Sequence, residues 1–354
     1  MSLYAVILCG GRGERFWPRS RRRCPKQFIS LFGSTSLLQL TDERMRGLCP
    51  APRRLFVAPG GFRELVERQV RPRPGNLIIE PAGRNTAPAI ALAAAHLIER
   101  DPDAVMAVLP SDHIITGQRA YEASLRLAVA QAGRGRLVTF GIPPTRPDTG
   151  YGYVQLGPKL GGRGRLTAHR VAAFREKPDA ATAVRYVKSG DYLWNSGMFV
   201  WRADAVLAAF ERLLPEFHDR LAACRRAGMT DRAVRALYRH APAISIDYAI
   251  MEKADNIAVV RAGFGWDDVG SWLALERHLP ASPGGNHFRG PAAALGAENC
   301  ITDTDTGVIA LLGTRDLVVV RSGDAVLVAH RDALGRMREL LKQLELLPAG
   351  RREL

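Results

Sequence analysis

From Tyr4 to Gly141 the chain alternates short aliphatic runs with longer stretches of helical spacing, and few folds accept that order. Strand-like runs at Tyr4–Cys9, Arg54–Ala58, Leu77–Ile79, Val105–Leu109 and Leu137–Gly141 are separated by helices predicted at Ser36–Gly47, Phe62–Val70, Thr86–Arg100 and Tyr121–Ala132. Such alternation predicts an α/β fold in which a parallel sheet is covered on both faces by helices. Ligands of such sheets bind beyond the carboxyl ends of the strands. Gly10–Arg15 and Pro110-Ser111-Asp112-His113 both fall at such ends.

The second half reads differently. Strands are predicted at Gly152–Leu156, His169–Phe174 and near Met198–Trp201, with helices at Asp179–Ser189, Ala203–Leu213 and Asp231–Arg239. After Pro283-Gly284-Gly285 short β-prone pieces follow at Cys300–Thr302, Gly307–Leu312, Leu317–Arg321 and Ala325–His330, then an amphipathic helix from about Arg331 to Leu346. The change of texture places a domain boundary near residue 283, giving domains 1–283 and 284–354. The C-terminal β pieces are too unevenly spaced to form a clear repeat.

At 354 residues the chain can hold one large core or two domains, and 47% apolar with 24% charged residues is an ordinary globular composition. No apolar run approaches 18 residues and no signal-peptide core appears, so a cytoplasmic protein with no membrane contact is expected. The five cysteines are scattered, without a CxxC spacing, and read as reduced thiols. The net charge of +15 favours anionic substrates. The arginines are spread along the chain without interleaved aromatics, so a nucleic-acid surface is not expected.

The segment Gly10-Gly11-Arg12-Gly13 leaves a buried strand and can bring backbone N–H groups close to an anion. It matches neither GxGxxG nor the Walker pattern. Arg15 and Lys26 flank it, and two cations beside an anion-binding loop suit a triphosphate whose charge rises on the leaving group. The arginines between them, Arg19 and Arg21 to Arg23, read as a solvated basic face.

The run Gly10-Gly11-Arg12-Gly13-Glu14-Arg15-Phe16-Trp17-Pro18, then Pro25-Lys26-Gln27-Phe28, resembles the signature of sugar-1-phosphate nucleotidyltransferases, the mannose-1-phosphate guanylyltransferases above all. Glu80–Ala89, Pro110–His113, Phe174–Pro178, Trp194–Phe199, Ser245–Tyr248 and Trp266–Trp272 match in order, so the resemblance covers nearly the whole chain. It implies a Rossmann-like, glycosyltransferase-A-like mixed sheet flanked by helices, with a small C-terminal β-helix-like domain. It implies the reaction of GTP with mannose 1-phosphate to give GDP-mannose and pyrophosphate, with Mg2+ or another divalent ion such as Mn2+. Many relatives of that family carry an added isomerase domain; a chain ending at Leu354 is expected to be the short form. A homodimer is admitted.

By the same resemblance, Arg15 and Lys26 are the catalytic cations, and Leu8, Gly10, Gly11, Gly13, Glu80, Pro81, Arg84, Asn85, Thr86 and Asp112 contact the nucleotide. Gly150, Glu176, Lys177 and Asn195 form the sugar-phosphate pocket, with Asp247 behind it, and Asp112 and Asp268 carry the metal. Asp267 competes with Asp268, because spacing cannot separate adjacent residues. His113, Tyr151 and Tyr153 are expected to pack, as are Trp194, Trp266 and Trp272. A nicotinamide-dependent oxidoreductase would need an acidic residue about 20 positions past the glycines. Phe28–Phe32 holds none.

Overall fold

The computed structural model describes residues 1–348 and 350; residues 349 and 351–354, at the end of the expected C-terminal domain, lie outside the described residues. Two compact units are present, and neither is continuous in sequence. The first comprises residues 1–10, 41–111 and 115–266, the second residues 11–40, 112–114 and 267–354. The chain therefore leaves the first unit between Gly10 and Gly11, and again between Ser111 and Asp112.

Strands in chain order are β1 (Leu3–Leu8), β2 (Arg54–Pro59), β3 (Leu77–Glu80), β4 (Val105–Pro110), β5 (Ile114–Thr116), β6 (Leu137–Ile142), β7 (Tyr153–Arg163), β8 (Leu166–Arg175), β9 (Tyr192–Arg202), β10 (Ile257–Arg261) and β11 (Gly265–Asp267). They continue with β12 (His287–Arg289), β13 (Ala292–Leu295), β14 (Ile301–Thr304), β15 (Ile309–Leu312), β16 (Leu317–Ser322) and β17 (Ala325–His330). The α-helices are α1 (Leu37–Arg46), α2 (Arg63–Val70), α3 (Thr86–Arg100), α4 (Gln118–Ala132), α5 (Ala180–Ser189), α6 (Ala203–Leu213), α7 (Pro215–Arg226), α8 (Asp231–Arg239) and α9 (Met337–Leu346).

The first unit is built on a nine-stranded sheet in the order β3-β2-β1-β4-β9-β6-β10-β8-β7. β3, β2, β1 and β4 are parallel, as the alternation predicts. β9 then inserts antiparallel between β4 and β6, so the sheet is mixed. Side chains alternate between the faces, as strand geometry requires. Val6, Met106 and Val108 enter one core beneath α3, α6, α7 and α8, while Ala5, Val105, Ala107 and Leu109 enter the other beside α4. Because both faces are covered, the central strands are continuous apolar runs. β1 and β4 lie side by side with Leu8 opposite Pro110, and Ser111 fixes their carboxyl ends by donating its hydroxyl to the Leu8 carbonyl at 2.7 Å.

The second unit wraps residues 11–40 onto the C-terminal β structure. β12, β14 and β16 pair in parallel, β17 closes that sheet antiparallel, and β13 pairs with β15. His287 pairs with Ile301, and Ile301 with Val318, so successive coils advance by 14 and then 17 residues. That uneven step explains why no repeat is legible in the sequence. Phe16, Trp17, Ile29, Leu31 and Leu37 share one core with Trp272, Ile301, Val318, Leu327 and Met337. No described helix is long and apolar enough to cross a membrane.

Candidate active site

In the second unit the glycine loop closes on the lysine segment. Gly13 has φ 61°, and a Cβ there would overlap the Lys26 side chain and lie 2.9 Å from its backbone nitrogen. Glycine is therefore demanded twice, by conformation and by close approach. Gln27 donates to the Gly11 carbonyl at 3.3 Å, and Ser20 to the Arg12 carbonyl at 2.9 Å.

Lys26 is buried, and its ammonium makes two hydrogen bonds, which leave its third N–H for a ligand. Nζ donates to Asp112 Oδ2 at 2.9 Å and to the Asp268 carbonyl at 2.6 Å, and lies 5.6 Å from the Phe16 ring centroid. Burial pushes the Asp112 carboxyl up, but the charges of Lys26 and His113 outweigh it and hold the carboxyl below its ordinary value. A cleft of about 310 Å³ opens here, lined by Gly13, Arg15, Lys26 and Asp112 among others. Arg15 is exposed in it and has no partner among the described residues.

Asp267 and Asp268 diverge. Asp267 is buried and accepts from Arg277 at 2.6 and 2.7 Å, from His278 at 2.8 Å and from the Val269 amide at 2.8 Å. Burial alone would raise its carboxyl; these donors overcome that and hold it well below the carboxylate range. Asp267 is thus held by its own neighbours, whereas Asp268 meets Lys26 through its backbone carbonyl.

The arginines between loop and lysine divide: Arg22 and Arg23 are exposed, as expected of a solvated face, whereas Arg19 and Arg21 are not. Arg19 is mostly buried and pairs with the buried Asp303 at 3.2 Å and with Asp305 at 2.6 Å. Arg21 donates to the carbonyls of Pro18 and Ser322, and Arg22 pairs with Glu345. These side chains tie the loop to the C-terminal strands and helix, a role that only long-range contacts reveal.

In the first unit Glu176, Lys177 and Asn195 come together with Asp247. A Cβ on Gly152 would overlap the Glu176 carboxylate, so the glycine makes room for it. Lys177 pairs with Glu176 Oε1, while Glu176 Oε2 is buried without a hydrogen-bond partner. An orphaned carboxylate oxygen is costly unless a ligand donor meets it. Asn195, buried on β9, accepts from Thr139 at 2.7 Å and donates to Asp247 at 2.8 Å. Burial and the Glu176 charge push the Asp247 carboxyl up to about 6. Gly150 is exposed, and its amide bonds Asp148 at 2.9 Å.

The segment Glu80–Ala89 belongs to the same unit. Glu80 ends β3 inside the protein and accepts from the Tyr238 hydroxyl at 3.0 Å; burial pushes its carboxyl up to about 7. Asn85, at φ 66°, caps α3 by accepting from the Thr86 amide at 2.9 Å. Thr86 Oγ1 accepts from the Ile246 amide at 2.9 Å, which couples the start of α3 to the Asp247 segment. Pro81 is exposed, and Arg84 has a buried Nε without a hydrogen-bond partner.

A family model described as nucleotidyl transferase matches residues 4–281, and one described as MannoseP isomerase/GMP-like beta-helix domain matches residues 290–344. A mannose-1-phosphate guanylyltransferase of Klebsiella pneumoniae is 41% identical over 365 residues, which span 99% of this chain and 75% of that protein. The chain belongs to the mannose-1-phosphate guanylyltransferase family. A guanylyltransferase of the same name from Escherichia coli K12 is 40% identical over 97% of this chain and 73% of its own length. The crystal structure of a mannose-1-phosphate geranyltransferase from Thermus thermophilus matches with a TM-score of 0.88 at 38% identity, covering 98% of this chain and 100% of that one.

Three residues of this guanylyltransferase-family chain escape sequence reasoning. Thr139 and Tyr238, which orient Asn195 and Glu80, lie in ordinary strand and helix patterns with no local signal. Arg338, on α9, lines the same cleft as Arg15 and Lys26, more than 300 positions away.

Proposed function

We propose that this protein transfers GMP from GTP to α-D-mannose 1-phosphate, giving GDP-mannose and pyrophosphate. The observation that carries the reading is the buried Lys26 ammonium, held between Asp112 and the Asp268 carbonyl at the mouth of a glycine-loop cleft. The nucleophile is a phosphate oxygen, already ionised at neutral pH, so no general base is needed. Catalysis reduces to alignment and charge neutralisation. Lys26 and Arg15 neutralise the departing pyrophosphate, and the glycine-loop amides hold the triphosphate. The orphaned Glu176 Oε2 accepts from a mannose hydroxyl, Asn195 presents its amide to the sugar, and Lys177 meets the sugar phosphate. A site built on such bonds discriminates strongly between sugars.

The residues present fit a magnesium ion. Among the described residues no group of three or more His, Cys, Asp or Glu side chains could hold a metal. Magnesium, however, takes one or two carboxylates and completes its octahedron with water and substrate phosphates. Asp112 and Asp268 would supply those oxygens. The bound ion would offset phosphate charge.

Pyrophosphate release with Mg2+, measured for GTP, ATP, UTP and dTTP against mannose 1-phosphate and glucose 1-phosphate, tests the reading. Release confined to GTP with mannose 1-phosphate is expected. Preference for another pair would replace the proposed substrates, and silence with every pair would remove the activity.

A further inference from the structure

We propose that Arg338, on the C-terminal helix α9, binds the β- and γ-phosphates of the nucleotide and hence the pyrophosphate product. The proposal rests on the reaction above and adds to it a residue from the C-terminal β-helix region.

Four cations line the cleft among the described residues: Arg12, Arg15, Lys26 and Arg338. They are not equally available. Lys26 already donates to Asp112 and to a carbonyl. Arg12 is 3.8 Å from Glu14, and Arg338 Nε is 3.5 Å from the other oxygen of the same carboxylate. Among the described residues Arg338 has no other recorded partner. The Arg338 side chain is 80% exposed, and a long ion pair in that setting is weak. A phosphate offers the guanidinium a planar, two-oxygen partner in place of a distant carboxylate. Arg338 can therefore turn from Glu14 to a polyphosphate at little cost.

Its position is not accidental. α9 packs against the turn Glu14–Phe16, and Met337, next to Arg338, is buried in the core that holds Phe16 and Trp17. The exposed Arg22–Glu345 pair lies at the other end of the helix. The helix thus presents Arg338 to the glycine loop from a packed position. Arg336, two positions earlier, pairs instead with Glu339 along the helix surface at 2.9 Å and serves as a control.

The test compares wild type, Arg338→Ala, Arg338→Lys and Arg336→Ala in both reaction directions. Loss of one charged phosphate contact is expected to raise KM for GTP and for pyrophosphate about tenfold in Arg338→Ala. KM for mannose 1-phosphate and for GDP-mannose stays at the wild-type value, as does the melting temperature. Arg338→Lys recovers part of the loss, and Arg336→Ala behaves as wild type. A merely structural role would raise every KM together and lower the melting temperature, which would overturn the proposal, as would an unchanged KM for pyrophosphate. Calorimetric titration of the same proteins with inorganic pyrophosphate needs no turnover. It therefore reads Arg338 even if mannose 1-phosphate proves not to be the acceptor, and equal affinity in wild type and Arg338→Ala rejects the proposal there too.

Discussion

Lys26 combines two properties that rarely coincide: burial of its side chain and an ammonium aimed at a cleft. A buried cation is costly unless paired, so the Asp112 and Asp268 contacts explain how it is tolerated. Its removal should cut kcat by about 10²- to 10³-fold, the range typical of one preorganised electrostatic group. Because the Asp112 side chain is still 36% exposed, water can take over its solvation. Lys26→Ala should consequently melt within a few degrees of wild type. Steady-state rates and a thermal melt check both halves; a variant with near-normal kcat would show that the phosphate site lies elsewhere. Family resemblance singles out Lys26, Asp112, Glu176 and Asn195 in the sequence, and the structure brings Lys26 to Asp112 and Glu176 close to Asn195. Local spacing cannot divide Asp267 from Asp268. Only the fold shows that Arg277 and His278, ten and eleven residues away, hold the Asp267 carboxylate.

Elements show the same division between local and distant causes. α3 forms at the limits predicted for it, because Asn85 offers a cap and an alanine-rich run follows. β9 extends well before Met198, through Trp194-Asn195-Ser196-Gly197, where polar residues and a glycine at φ 69° hide the strand. Its place between β4 and β6 depends on pairings across 91–97 and 52–62 residues, which no periodicity records. β10 and α7 are absent from the sequence expectations, although Phe217, Leu221 and Cys224 have helical spacing after Pro215. The end of β3 carries a pH-dependent cost. Glu80 ionises near 7 in the fold rather than at the ordinary 4.5, because burial disfavours its charge. A folded pKa above the unfolded one means that the native state holds the proton longer. Stability from this group is full below about 4.5 and declines as pH rises toward 7. Glu80→Gln keeps a partner for Tyr238 without the titration. Relative to wild type it should gain about 2–3 kcal/mol between pH 5 and pH 8, since roughly 1.9 of the about 2.5 units between the two pKa values fall in that interval, at about 1.36 kcal/mol per unit. Urea unfolding at the two pH values measures it, and a constant difference would place the Glu80 proton elsewhere.

At the scale of the whole molecule, the glycine loop does not fold with the strand that precedes it. Residues 11–40 form one compact unit with residues 267–354, and their apolar side chains share a core with β14, β16, β17 and α9. Arg19 reaches Asp303 and Asp305, and Arg21 reaches Ser322, so the loop's polar anchors also lie in the C-terminal strands. Cutting the chain after residue 283 would remove Ile301, Val318, Val320, Leu327 and Met337 from that core and leave Arg19 without its carboxylates. Fully burying one aliphatic side chain contributes about 1.5–3 kcal/mol, so the loss far exceeds what residues 11–40 can recover alone. A 1–283 fragment should keep the nine-stranded sheet, whose cores contain no residue beyond Phe264 and Trp266. It should lose the cleft, with turnover at least ~10³-fold below the full chain, the scale of a lost preorganised electrostatic site, and rapid proteolytic cutting between residues 11 and 40. Circular dichroism, a pyrophosphate assay and limited proteolysis on one preparation separate these effects. A fragment that turns over normally and resists cutting would mean that the loop is held by the sheet and needs none of the C-terminal strands.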